Sequence, residues 1–356
     1  MEYQHGGDIY SQDIQMDYSA NINPLGMPEA VSQALRDCLE REVCSLYPDS
    51  RCERLRQALG RHHGVEDKWI ICGNGAADLI FGLAAALRPV RGLVTAPAFS
   101  EYEQALRSVG CRTDYYYLRE DRGFALDAAG MCGCVRAAAE RGEPYDVVFL
   151  CNPNNPTGTV AGKEYMRGLI EHNPQVCFII DQSYEFFTLC PLFSPAEAAE
   201  YPNVLLLHSM TKRYAIPGLR LGYVTGSSGL LERLRTNRMP WSVNRLAIEA
   251  GLFLLENDVP EPLDVAAYLQ ETARLGKALK AVGGLDVWDT QTHFMLVQLR
   301  MGKASALKEY LAGEHGILIR DASNFAGLDE RFFRIATQTP EENDRLVAAI
   351  EEFMAG

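Results

Sequence analysis

The sequence predicts an α/β fold in which a large domain with a mostly parallel central sheet is joined to a smaller α+β domain. Three apolar runs, at 146–151, 176–181 and 203–208, are short, continuous and separated by segments of helix length, and a weaker fourth lies at 221–225. Strands that are apolar on both faces are typical of parallel sheets covered by helices on both sides. From about Trp241 the pattern changes, which predicts the second domain.

The composition argues against several classes of protein. The 356 residues contain 34 lysines and arginines against 47 aspartates and glutamates, a net charge of −13. Such an acidic chain is a poor partner for nucleic acid, because phosphate contacts need a basic surface. The longest wholly apolar stretch, 79–87, is too short to span a membrane. The first residues show neither a basic run nor an apolar segment, so we expect a cytoplasmic protein without membrane contacts.

The ten cysteines are scattered between positions 38 and 190. Disulfide scaffolds are typically short secreted chains, which this chain is not. Structural zinc usually needs two close pairs of ligands, and only Cys132 and Cys134 form a close pair. We therefore expect reduced thiols and no metal site.

Three regions follow from the patterns along the chain. Residues 1–30 are irregular and predict an N-terminal arm that covers a site or a neighbouring subunit. Residues 31–240 form the large domain. Residues 241–356 form the small domain, with predicted helices at 245–256, 265–282 and 340–354 and predicted strands at 293–299, 316–320 and 332–337.

The polar residues with the clearest chemistry follow the third apolar run. Ligands of open α/β sheets bind at the carboxyl ends of the strands, so this position favours a functional site. Burial and neighbouring cations there would lower the pKa of Lys212 and favour its neutral amine. Ser209, Thr211 and Arg220 supply two hydroxyls and a guanidinium suited to a phosphate ester.

Three further segments add to this chemistry. Asp181 ends the second run, where a carboxylate can hold a pyridinium nitrogen protonated, and Tyr184 can donate a hydrogen bond to a ring oxygen. The turn Asn-Pro-Asn-Asn-Pro-Thr-Gly at 152–158 contains Asn155, which could also contact a ring substituent. The segment Gly-Asn-Gly-Ala-Ala-Asp at 73–78 leads into an apolar helix, whose N-terminus favours an anion. Its spacing is not that of a nucleotide-binding loop.

These four segments, in this order, resemble the fold-type-I pyridoxal-phosphate enzymes of the aspartate-aminotransferase superfamily over nearly the whole chain. The resemblance implies pyridoxal 5′-phosphate as the cofactor and Lys212 as its covalent attachment point. It also implies that Asp181 faces the pyridine nitrogen and that Tyr184 and Asn155 face the ring hydroxyl. The other implied cofactor contacts are Phe99, stacked on the ring, and Gly75, Ala76, Ser209, Thr211 and Arg220 at the phosphate.

The resemblance further implies a homodimer with shared active sites. Tyr47, in the sequence Leu-Tyr-Pro at 46–48, matches the tyrosine that reaches the cofactor phosphate of the neighbouring subunit.

The N-terminal segment resembles one group of enzymes within this superfamily. The His-Gly-Gly start at 5–7 and the Ser-Ala-Asn-Ile-Asn-Pro-Leu-Gly segment at 19–26 resemble the threonine-phosphate decarboxylases of cobalamin biosynthesis. The related histidinol-phosphate aminotransferases typically have an Asn-Glu-Asn-Pro-Tyr-Gly type of segment and lack the His-Gly-Gly start. The resemblance therefore implies decarboxylation of L-threonine O-3-phosphate to (R)-1-aminopropan-2-yl phosphate and carbon dioxide.

The resemblance also implies four substrate contacts: His5 and Asn23 from the arm, and Arg320 and Arg334 from the small domain. Arg334 corresponds to the usual carboxylate-binding arginine and Arg320 to the phosphate partner, although their division of roles stays open. Three alternatives remain: transamination of histidinol phosphate with 2-oxoglutarate, a non-catalytic regulator that binds the cofactor, and serine phosphate as a further substrate. The presence of Lys212, Asp181 and Tyr184 weighs against the regulator.

Overall fold

The computed structural model describes residues 5–257, 259 and 263–356. Its strands are β1 (Met16–Asp17), β2 (Ile70–Gly73), β3 (Arg91–Ala96), β4 (Arg112–Tyr117), β5 (Val147–Cys151), β6 (Cys177–Asp181), β7 (Val204–Ser209), β8 (Gly222–Gly226), β9 (Leu285–Val287), β10 (Phe294–Leu299), β11 (Ile317–Leu318), β12 (Arg320–Asp321) and β13 (Phe332–Ala336). Its α-helices are α1 (Glu29–Glu40), α2 (Glu53–His63), α3 (Gly75–Leu87), α4 (Glu101–Ser108), α5 (Ala128–Glu140), α6 (Lys163–Glu171), α7 (Pro195–Ala199), α8 (Met210–Arg213), α9 (Ser228–Asn237), α10 (Arg245–Glu256), α11 (Val265–Ala281), α12 (Ala304–His315) and α13 (Pro340–Ala355). Among these helices, none is long and apolar enough to cross a membrane.

The large sheet has the strand order β2-β8-β7-β6-β5-β3-β4. Neighbouring strands from β7 to β4 pair in parallel, whereas β8 is antiparallel to both β7 and β2. Strand β2 therefore has the same direction as the parallel strands. The predicted mostly parallel sheet is confirmed, and the carboxyl ends of β2, β3, β5, β6 and β7 meet at one edge.

Helices cover both faces of this sheet, which explains why its strands are continuous apolar runs. In β5, Phe149 packs with α3, α4 and α9 on one face. Its neighbours Val148 and Leu150 pack with α5, α6 and α7 on the other face. Adjacent side chains of a strand point to opposite faces, so both faces need apolar residues here. Full burial of a side chain such as Phe149 stabilises the fold by about 1.5–3 kcal/mol.

The apolar runs predicted at 146–151, 176–181 and 203–208 each begin one residue before the observed strand, and a polar side chain explains the difference for β5 and β7. Asp146 lies just before β5, where its carboxylate accepts hydrogen bonds from the Val90 and Arg91 backbone amides. Asn203 lies just before β7 and donates its side-chain amide to the Val176 carbonyl. Both residues bind the ends of neighbouring segments, while the apolar residues after them continue the sheet.

The small domain has an antiparallel sheet of order β12-β13-β10-β9, packed against α11, α12 and α13. The predicted strand at 316–320 divides at Ile319. Its first part, β11, pairs with β1 of the N-terminal arm, and its second part, β12, pairs with β13. Part of the arm is therefore built onto the small domain.

Helix α10 packs against helices of the large domain, although it lies after the predicted domain boundary at 240. Its residues Ala247, Ile248 and Leu252 pack in one apolar cluster with Val31 of α1 and Leu55 of α2, rather than with the small-domain sheet. The period of a helix shows which face is apolar, but only packing decides which surface covers that face. The packing therefore groups α10 with α1 and α2 of the large domain.

Candidate active site

A cavity of about 610 Å³ opens where the carboxyl edge of the large sheet meets the arm and the small domain. Its lining contains most of the site residues predicted from the sequence, namely His5, Ala76, Phe99, Asn155, Asp181, Tyr184, Ser209, Thr211, Lys212, Arg220, Arg320 and Arg334. Gly75 adjoins Ala76 without lining the cavity itself. Asn23 and Tyr47 lie outside the lining.

Lys212 lies in the short helix α8, directly after β7, and its side chain is half-buried in the cavity wall. The pKa of its amine falls from an ordinary value near 10.5 to about 8. Burial is the largest cause, Arg220 and Arg334 add to it, and Asp181 opposes it. A substantial fraction of the amine is therefore neutral near physiological pH, as a nucleophilic lysine requires.

The N-terminus of α3 forms a cradle suited to an anion. Gly75, the first residue of this helix, has φ +79°, and a Cβ there would lie 2.6 Å from Nη2 of Arg220. On the other side, the Ser209 and Thr211 hydroxyls are 2.7 Å apart. A helix N-terminus, two hydroxyls and a guanidinium therefore surround one space, and this donor set fits a phosphate ester.

Asp181 occupies the end of β6, where its carboxylate is held at both oxygens. Oδ1 accepts a hydrogen bond from the Ser183 amide at 2.8 Å, and Oδ2 accepts one from the Tyr102 hydroxyl at 2.8 Å. Burial, with Asp181 beside it, raises the pKa of Tyr102, so this phenol stays a donor. These two bonds fix the direction in which the carboxylate faces the cavity.

The sequence analysis missed Tyr102. The available signal was its spacing of three residues from Phe99, which places two aromatic rings on one side of the α4 N-terminus. In the structure the rings meet edge to face, with centroids 5.7 Å apart.

Tyr184 and Asn155 lie on the side of the cavity nearest the small domain. Burial raises the pKa of Tyr184, although Arg334 and the neighbouring Asn21 amide oppose this effect. Asn155 Oδ1 accepts a hydrogen bond from Arg334 Nη1 at 2.5 Å. The Asn155 Nδ2 group is then the donor available to a ligand.

The two small-domain arginines are direct cross-strand neighbours on β12 and β13. Arg334 donates to Asn155 and to the Ser19 carbonyl, and Arg320 donates to Asn324 Oδ1 at 2.8 Å. Burial and mutual repulsion lower the pKa of Arg320 to about 10, and burial lowers that of Arg334 as well. Both stay cationic at neutral pH, so this wall of the cavity attracts anions.

Residues 5–7 of the arm lie beside this cationic wall. His5 Nε2 is 3.3 Å from Glu101 Oε1, and the Gly7 amide donates to Ser19 Oγ at 2.7 Å. At Gly6 a Cβ would lie 2.2 Å from the Ser19 carbonyl oxygen, so only glycine allows this close approach of the two backbones.

The structure gives Asn23 a different role from the expected substrate contact. Its Nδ2 donates to the Arg213 carbonyl at 3.0 Å, its Oδ1 accepts from the Leu25 amide at 3.0 Å, and its amide donates to the Lys212 carbonyl. Because its polar groups are all bonded to backbone, this buried residue supports the lysine segment instead.

Asn21 is the asparagine of this segment that lines the cavity. It is almost fully buried, and neither Oδ1 nor Nδ2 has a hydrogen-bond partner of good geometry among the described residues. A buried amide without partners is costly unless a ligand satisfies it. Asn21 and Asn23 belong to the same short segment and are equivalent in the sequence, so only the structure distinguishes their positions.

Tyr47 lies on the outer surface, with 80% of its area exposed and its ring 5.1 Å from that of Trp241. It therefore cannot contact the cavity of its own chain in this conformation.

The chain is similar to known proteins over nearly its whole length. The sequence model of the aminotransferase class I and II family matches residues 13–350. The chain is 36% identical to threonine-phosphate decarboxylase of Salmonella typhimurium, over 99% of this chain and 97% of that protein. It is 29% identical to histidinol-phosphate aminotransferase of a Thermoanaerobacter species, over 98% and 95% of the two chains. The crystal structure of L-threonine-O-3-phosphate decarboxylase from Porphyromonas gingivalis is similar with a TM-score of 0.87 and 32% identity, over 95% of this chain and 99% of that one.

Proposed function

Because the chain belongs to the aminotransferase class I and II family of pyridoxal-phosphate enzymes, we propose a specific reaction for its cavity. The substrate is L-threonine O-3-phosphate, which loses its carboxylate to give (R)-1-aminopropan-2-yl phosphate and carbon dioxide, a step of cobalamin biosynthesis. The observation that carries this proposal is the position of His5, which lies at the cavity beside Arg320 and Arg334. The 36% identity to a threonine-phosphate decarboxylase over nearly the whole chain supports it.

The residues of the cavity fit pyridoxal phosphate. The cradle at Gly75, with Ser209, Thr211 and Arg220, matches the phosphate, and a Cβ at Gly75 would fill part of this space. Asp181 supplies an anion for the ring nitrogen. When bound, the cofactor supplies the electron sink for the pair left by the broken Cα–carboxylate bond.

The chain's own groups perform the remaining work. Lys212, with a pKa of about 8, has a neutral amine that would attach the cofactor. After the substrate amine replaces it, the lysine amine would carry the proton released by the substrate's ammonium group and deliver it to Cα. Asp181, oriented by Tyr102, holds a proton at the ring nitrogen. Tyr184 and Asn155 donate hydrogen bonds to the ring oxygen.

We assign the substrate's two anionic groups to different cations. Burial raises the pKa of the Glu101 carboxyl, and His5 and Arg320 both oppose this rise, so these two residues lie on the same side of the cavity. This pair suits the phosphate. Arg334, held by Asn155 and Ser19, would then bind the substrate carboxylate and orient the bond that breaks.

The proposed enzyme is a homodimer with shared sites. The exposed ring of Tyr47 cannot reach its own cavity, but it is available to a second copy of the chain. In this arrangement Tyr47 donates a hydrogen bond to the cofactor phosphate of the neighbouring subunit.

The direct test is carbon dioxide release from threonine phosphate by holoenzyme without any keto acid. We expect stoichiometric release and one equivalent of aminopropanol phosphate. Lys212→Ala is the matched inactive control, and it should lose both the covalent cofactor, measured by borohydride reduction and mass spectrometry, and at least about 10³-fold in rate. Absence of carbon dioxide from the wild-type protein contradicts the proposal.

The same preparation separates the alternatives. Amino-group transfer from histidinol phosphate to 2-oxoglutarate, without decarboxylation, would identify the aminotransferase. Inertness towards both substrates with the cofactor still bound would identify the regulator. Serine phosphate belongs in the same assay, because one methyl group in a pocket discriminates by only about 1–3 kcal/mol.

A further inference from the structure

One carboxylate in the cavity wall has the same sign of charge as the proposed substrate. Glu101, the first residue of α4, is only 8% exposed and lines the cavity together with Arg320 and Arg334. A buried anion next to a phosphate site is costly and repels the ligand unless a cation pairs with it. The presence of Glu101 therefore needs an explanation that the cofactor and the substrate do not supply.

The contacts of the Glu101 carboxylate identify the side chain that pairs with it. Glu101 Oε1 is 3.3 Å from Nε2 of His5, and Oε2 accepts a hydrogen bond from Ser100 Oγ at 3.1 Å. Within the described residues, Glu101 is the ion-pair partner of His5. The carboxylate therefore contacts the arm residue that the proposed function assigns to the phosphate.

The contacts that hold the arm in place here act on its backbone. They do not involve the His5 side chain. Gly6 and Gly7 are anchored on Ser19 by close packing and by the hydrogen bond from the Gly7 amide. The His5 ring itself is 53% exposed, and its centroid lies 6.5 Å from that of Phe99. Without Glu101, an exposed imidazole at the end of the arm would sample several rotamers.

We propose that Glu101 is a positioning residue, which holds the His5 ring at the cavity mouth so that it can bind the substrate phosphate. This inference rests on the proposed function. Glu101 does not contact the substrate, and its repulsion of the phosphate is offset by the nearby Arg320 and by the ordered His5. Burying this carboxylate costs free energy, but the buried group orients the His5 ring.

The test is a double-mutant cycle between Glu101→Gln and His5→Asn, measured by carbon dioxide release from threonine phosphate. Glu101→Gln should raise KM about tenfold and leave kcat within about twofold, because it acts on phosphate binding and not on bond breaking. In the His5→Asn background, Glu101→Gln should have no further effect. The matched control is Glu103→Gln, on the same helix, which loses a pair with Arg107 and does not line the cavity.

A second measurement does not depend on activity. Hydrogen exchange of the peptide that contains the Gly7 amide should be faster in Glu101→Gln holoenzyme than in wild type or Glu103→Gln, since the arm loses its contact with α4. Glu101→Asp tests the geometry, because the shorter side chain should restore the charge without restoring the full contact and give an intermediate KM.

Specific results would overturn the inference. A lower KM in Glu101→Gln would mean that the carboxylate only repels the substrate, and an equal effect with and without His5 would mean that it acts independently of the arm. If wild-type enzyme released no carbon dioxide, the proposed function would fail. The exchange experiment would still decide whether Glu101 holds the arm.

Discussion

Arg334 Nη1 donates a 2.5 Å hydrogen bond to Asn155 Oδ1, and this bond joins strand β13 of the small domain to the loop after β5 of the large domain. The same guanidinium donates to the Ser19 carbonyl of the arm. One buried cation therefore connects the three parts of the chain that surround the cavity. A substitution that disturbs any of these parts will also change the position of the proposed carboxylate partner.

The two asparagines of the arm are expected to differ in their effects. Asn23→Ala should lower the free energy of unfolding by about 1–3 kcal/mol, because the Arg213 carbonyl and the Leu25 amide lose their hydrogen bonds to this buried side chain. Asn21→Ala should leave stability unchanged or raise it, since its amide has no well-formed protein hydrogen bond, and should raise KM. Urea unfolding and steady-state kinetics measure the two effects. The opposite pattern would return the substrate contact to Asn23.

Tyr102→Phe should reduce both stability and turnover. The lost hydrogen bond to the buried carboxylate of Asp181 is worth about 1.5–3 kcal/mol, and a less oriented Asp181 should lower kcat roughly tenfold. Tyr116→Phe is the control, because its hydroxyl donates to the Asp127 carbonyl away from the cavity. That variant should lose stability only. An unchanged kcat in Tyr102→Phe would show that the hydroxyl does not orient Asp181.

Attachment of pyridoxal phosphate to apoenzyme should depend on pH through the lowered pKa of Lys212. Only the neutral amine reacts, so the rate should be half-maximal near pH 8 and level off about one pH unit above it. Arg220→Gln removes a cation that favours the neutral amine, so its midpoint should move to higher pH. Arg233→Gln, on the outer helix α9, should keep the wild-type midpoint. Stopped-flow absorbance of the cofactor measures this, and an unshifted midpoint for Arg220→Gln would contradict the assigned cause.

Shared active sites predict complementation between two inactive subunits. In a mixed dimer of Lys212→Ala and Tyr47→Ala chains, one site carries both defects and the other carries neither. Mixing should therefore restore cofactor affinity and activity at one site of each mixed dimer, about half of the wild-type value per dimer. If Tyr47 acts within its own chain or not at all, mixing will restore nothing beyond the average of the two parents.

Local patterns were sufficient for residues whose role depends on the strand that precedes them. Lys212, Asp181 and Asn155 each follow a buried strand of one parallel sheet, so their approach to a common edge followed from strand direction. Local patterns failed where packing between distant segments decided the outcome. Helix α10 joined the large domain, the strand at 316–320 divided between two sheets, and Tyr102 reached Asp181 across 79 residues.

The sequence by itself determined the fold class, the family and many of the residues around the cavity, because strand periodicity and short motifs are local properties. Only the tertiary structure decided which of two equivalent asparagines lines the cavity, what holds the Asp181 carboxylate, and which cation pairs with Glu101. These choices depend on hydrogen bonds and charges between the arm, the large domain and the small domain. These contacts form only in the folded chain, because polar groups that become buried need hydrogen-bonding partners.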